Sequence, residues 1–93
     1  MRKKQTITFV VNRENIQSRN DTMNVGIVGG GETINGYVMR CGDKFLAVAK
    51  PTYQYYFDSQ NDAEEYVLKS LVDHMNMFGI YAEFVNENGE IIW

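Results

Sequence analysis

Between Gln5 and Asn12 (QTITFVVN), Ile7, Phe9 and Val11 fall on one side of an extended chain, with Thr6, Thr8 and Val10 on the other. Apolar, β-branched residues on both sides predict an interior strand. Arg13 to Thr22 is polar and predicts a loop. Met23–Val28 alternates as a second strand, Gly29-Gly30-Gly31 breaks the chain, and Thr33–Arg40 predicts a third. Gly36 inside that run marks a bulge or a close-approach point. Cys41-Gly42-Asp43 predicts a turn, and Lys44–Lys50 (KFLAVAK) a short apolar strand. The first half of the chain therefore reads as a β meander.

The period changes after Tyr53–Phe57, itself strand-like. Ala63, Val67, Leu71, Met75 and Phe78 recur at helical spacing, widened by Tyr66, Leu68 and Val72. Asp58, Ser59 and Asn61 are candidate N-caps, and Asp62, Glu64 and Glu65 crowd the first turn, where carboxylates favour the helix dipole. Glu65 and Lys69 stand at i, i+4, and Gly79 is the natural stop. This predicts a helix over about residues 60–78. Ile80–Asn86 and Glu90–Trp93 flank Asn88-Gly89, a hairpin signal. The expected fold is α+β: one domain over 1–93, an antiparallel sheet of about five to seven strands, and one amphipathic helix on a face.

Composition sharpens this reading through charge. Residues 1–50 carry eight Lys or Arg against four Asp or Glu; beyond Pro51, Lys69 alone faces eight carboxylates. Such asymmetry can mark a surface aimed at a charged partner. The 44% hydrophobic content is enough for one core and argues against a disordered chain. One cysteine, Cys41, excludes an intramolecular disulfide and a cysteine-rich zinc site. Met-Arg-Lys-Lys imitates a signal peptide, but the apolar stretch Ile7–Val11 behind it is short and interrupted. No segment approaches the roughly 20 apolar residues of a membrane span. The chain reads as intracellular and cytoplasmic, without a membrane role.

Candidate chemistry is thin. His74, the only histidine, sits near the predicted helix end, where the dipole suits an imidazole. As the only histidine it reads as a structural or solvated side chain, and Cys41, beside a turn glycine, has no acid–base partner nearby in sequence. No ligand pair has metal-binding spacing. Asp58, Asp62 and Glu64 fit helix capping better than a calcium loop. Gly29-x-Gly31 has Ile34 where a dinucleotide-binding motif needs its third glycine, and a strand follows rather than a helix. The chain reads as non-enzymatic, with no cofactor and no metal.

Two binding surfaces remain. Asp62, Glu65 and Asp73 fall on the helix face away from the apolar stripe, and Glu83, Glu87 and Glu90 belong to the last hairpin. If helix and hairpin share a side, these carboxylates form a strip able to dock into the basic groove of a partner protein. Alternatively, Tyr53, Tyr55 and Tyr56, with the Arg2-Lys3-Lys4 arm, would serve as a stacking platform for single-stranded nucleic acid. A third reading is a structural or oligomerisation subunit that pairs through an exposed sheet edge.

Tyr56-Phe57-Asp58-Ser59-Gln60-Asn61-Asp62-Ala63-Glu64-Glu65-Tyr66-Val67 is a strand, a polar cap and an acidic helix. It resembles segments of small phage and mobile-element accessory proteins, including anti-CRISPR inhibitors. That resemblance implies a compact α+β inhibitor without catalytic residues, docking on a host protein that targets nucleic acid. It carries no particular site residue with it.

Overall fold

The computed structural model describes residues 5–13, 20–28, 34–49 and 53–93. Six strands and one helix follow in the order β1 (Gln5–Asn12), β2 (Asp21–Ile27), β3 (Ile34–Cys41), β4 (Lys44–Ala49), β5 (Tyr53–Phe57), α1 (Gln60–Asn76) and β6 (Ile80–Val85). The α+β class is as expected. The triple glycine lies outside the described residues, as do the Arg2-Lys3-Lys4 arm and the side chain of Tyr53.

One curled sheet runs in the order β5-β4-β3-β2-β1-β6. The first five strands form the antiparallel meander, but β6 pairs parallel to β1, with Phe9 opposite Phe84, so the six-stranded sheet is mixed rather than antiparallel throughout as expected. Topology dictates that direction. In a five-strand meander β1, β3 and β5 point the same way, and α1 returns the chain, so β6 starts out along β1. A parallel neighbour requires such a crossover.

The helix packs on one face, touching β3, β4 and β5 on one flank and β6 on the other. Residue size follows the resulting gap. Where α1 comes close, β3 and β4 present Gly36, Ala47 and Ala49; Phe9 and Met23 on the two strands between the flanks, with Phe84 on β6, fill the wider space. From the helix, Ala63, Val67, Leu68 and Leu71 complete the core. Gly36 is the close-approach point its position suggested: a Cβ there would lie 2.7 Å from Val67 Cγ1 and 3.1 Å from the Val48 carbonyl oxygen.

Ser59 is the N-cap, its Oγ accepting from the Asp62 N–H, and Gly79 stops the helix with φ of +70°. Beyond β6 the chain turns at residues 86–90 and folds back. Val85 bridges to Ile91, Ile92 N–H donates to the Phe84 carbonyl (2.8 Å), and Phe84 N–H donates to that of Trp93 (3.3 Å). The expected hairpin is therefore present in short form. Among the described residues no helix is long and apolar enough to cross a membrane.

Candidate functional site

With Ala63, Val67 and Leu71 turned to the sheet, helical geometry turns Asp62, Glu65, Lys69 and Asp73 outward, and all four are exposed. Lys69 falls within the row, so the carboxylates do not stand unbroken. The ridge is flanked by two shallow depressions of about 260 Å³ each. One lies towards the C-terminal residues and is lined by Arg13, Glu64, Glu65, Leu68, Ile92 and Trp93. The other lies towards β5 and is lined by Phe57, Asp62, Glu65, Tyr66 and Lys69. Glu65 borders both.

Each depression holds an aromatic anchor. Trp93 stands edge-on to Phe84, with ring centroids 5.8 Å apart, yet remains 49% exposed. Tyr66 meets Tyr55 edge-on at 5.4 Å and Phe57 at 5.3 Å. A half-exposed tryptophan and a partly buried tyrosine thus stand beside charged groups, and Trp, Tyr and Arg are the residue types enriched in binding hot spots.

The wall of the first depression is held by polar contacts. Glu64 is nearly buried, and both its oxygens are satisfied: Oε1 by Arg13 Nη2 at 3.0 Å and Oε2 by Gln60 Nε2 at 2.9 Å. The Arg13 backbone N–H donates to Glu87 Oε1 at 2.9 Å. That bond, followed by Glu87's own N–H, holds the Glu87 carboxyl below its ordinary value. Asn86 closes the turn, its Oδ1 accepting from the N–H groups of Asn88 and Glu90.

The six expected contact carboxylates are thus divided. Asp62, Glu65 and Asp73 line the outer helix face. Glu83 alternates with Phe84 and points to the opposite side of the sheet, where it accepts from Thr8 Oγ1 at 2.9 Å. Glu87 and Glu90 belong to the 86–90 turn, and Glu90 accepts from Asn86 Nδ2. Helix and hairpin share a side only in part, so the single strip of the sequence reading is replaced by the helical row.

The tyrosines are divided too. Tyr55 lies on the helix side against Tyr66, and Tyr56, its neighbour in an extended strand, points the other way. His74 stacks edge-on with Phe78 at 5.4 Å. Cys41 ends β3, half-buried. No group of three or more His, Cys, Asp or Glu among the described residues is placed to hold a metal.

Sequence reasoning missed Arg13, Ile92 and Trp93 as parts of this site. Arg13 sits in a polar run with no pattern of its own, and its partner is 51 residues away. The one available signal was a tryptophan, an amphipathic and costly side chain to leave half exposed, just beyond a hairpin turn. No protein-family model, curated protein or solved structure matches this chain.

Proposed function

We propose that the chain is a non-enzymatic binding protein whose contact surface is the outer face of α1 and the two depressions beside it. The observation that carries this reading is the position of Glu65. It stands between a depression of mixed polar and apolar lining that contains Trp93 and a mainly apolar one that contains Tyr66, in line with Asp62 and Asp73. A partner surface would place apolar side chains into the depressions and Arg or Lys along the ridge. Burial of the aromatics would supply most of the affinity, and the carboxylates would supply steering and register.

In its narrower form, the partner is a host protein that targets nucleic acid, inhibited when its phosphate-binding Arg and Lys meet Asp62, Glu65 and Asp73. Charge and the resemblance of residues 56–67 to phage accessory inhibitors support that form.

The test is retention of host-lysate proteins on the immobilised chain, compared with Glu65→Lys/Asp73→Lys and Trp93→Ala. A protein held by the parent and lost by both variants is the expected result. Identical retention by all three rejects this surface. A salt-sensitive gel shift with single-stranded DNA or RNA, unaffected by these substitutions, would favour the nucleic-acid reading instead.

A further inference from the structure

The two edges of the sheet are treated differently. At β6 the chain covers its own edge, with residues 90–93 bonded along Phe84 and Asn86. At β5 no strand among the described residues pairs with the outer side. Natural edge strands resist pairing through charge, proline or a bulge. Tyr53–Phe57 (YQYYF) has none of these: its five residues are uncharged and pair with β4 in unbroken register.

From this we infer that β5 pairs antiparallel with β5 of a second copy, about a two-fold axis at Tyr55, joining two six-stranded sheets into one continuous sheet. That register sets Tyr53 opposite Phe57 of the second copy, Gln54 opposite Tyr56, and Tyr55 opposite itself. Every pair is aromatic–aromatic or amide–aromatic, and no like charges face one another. The run is its own complement when reversed, which is what an isologous interface demands. Tyr55 is 61% exposed on the helix side and Tyr56 58% exposed on the other, so the contact covers apolar surface on both faces. Five residues per strand make a small interface, and the dimer is accordingly weak.

Salt separates this contact from the one at α1. Each chain carries a net charge of −3, while the edge itself is uncharged. Screening the mutual repulsion strengthens the dimer, whereas it weakens any partner held by Glu65 and Asp73.

The experiment is sedimentation velocity on the full chain from about 10 µM to about 1 mM, at about 0.05 M and about 0.5 M salt. A reversible monomer–dimer equilibrium, tighter at the higher salt, is expected. Tyr55→Lys and Tyr56→Lys should each weaken it by about tenfold or more, with unchanged circular dichroism. Mixing Tyr55→Lys with Tyr55→Glu should restore it, because opposite charges then face across the axis. Should Tyr55→Lys unfold through its contact with Tyr66, Tyr56→Lys, on the far face, carries the test. A strict monomer at every concentration overturns the inference, as does a dimer that Tyr56→Lys leaves intact. Neither outcome touches the proposed α1 surface, because Tyr56→Lys leaves that face unaltered.

Discussion

Arg13 and Glu64 meet at 3.0 Å between the end of β1 and the first turns of α1, and the same arginine's backbone N–H holds Glu87 in the last turn. Three parts of the chain are therefore tied at one residue. Glu64 is nearly buried and would keep an uncompensated charge if the guanidinium were removed. Because the Arg13 side chain is 46% exposed, water can replace part of what is lost. Arg13→Ala should cost about 1–2 kcal/mol in urea unfolding, and distinctly less in a Glu64→Gln background. Equal costs in both backgrounds would show that the pair is not coupled.

At Gly36 the helix packs close against the sheet. Gly36→Ala should destabilise by about 1–3 kcal/mol, since Val67 Cγ1 must move and the Val48 carbonyl cannot easily follow. In a Val67→Ala background the penalty should shrink. Urea midpoints of the four chains decide it, and an unchanged penalty would place the strain at the backbone rather than at Val67.

Two carboxyls give opposite pH behaviour. Glu87 lies below its ordinary value of 4.5 in the folded chain, so its contribution is present above that value and fades as pH falls through the lower, folded one. Asp21 lies above its ordinary value of 3.8 because burial disfavours its charge, with an opposing hydrogen bond from Asn24. Its contribution is full below 3.8 and is lost as pH rises through the folded value. Glu87→Gln should therefore flatten the acid-side loss of stability, and Asp21→Asn should raise stability at pH 7 more than at pH 3. Urea titrations at the two pH values test both, and the reverse order for either variant would contradict its assigned environment.

Reversing charge on the proposed contact face should spare the fold. Glu65 and Asp73 are exposed, and Glu65→Lys/Asp73→Lys removes the two i, i+4 opposite-charge spacings on either side of Lys69 and sets three lysines in a row. The cost should stay below about 1 kcal/mol by thermal melting. A larger loss would make the variant unsuitable for judging partner binding, and Glu65→Gln/Asp73→Asn would replace it.

Much of this architecture could be read along the chain, for local reasons. β5 was legible over Tyr53–Phe57 and the helix to within a turn, because period, cap and Gly79 agree. β2, β3 and β4 shifted by only one or two residues at their ends. The helical carboxylates were legible as an outward row for the same reason. The sides taken by Glu83, Glu87 and Glu90 were not, because period 2 says which residues share a face but not which face meets the helix. The aromatic anchor at Trp93 was hidden similarly: its surroundings come from residues far away in sequence.

Alternation, helical spacing and turn chemistry are properties of neighbouring residues, so the kinds and approximate limits of the elements belong to the sequence itself. The order of strands, the parallel seat of β6 beside β1, the Arg13–Glu64 tie and the contrast between an edge covered by residues 90–93 and one that no described strand pairs with arise only when distant segments compete for the same apolar surface. Local pattern carries no record of that competition, and burial in the folded chain resolves it.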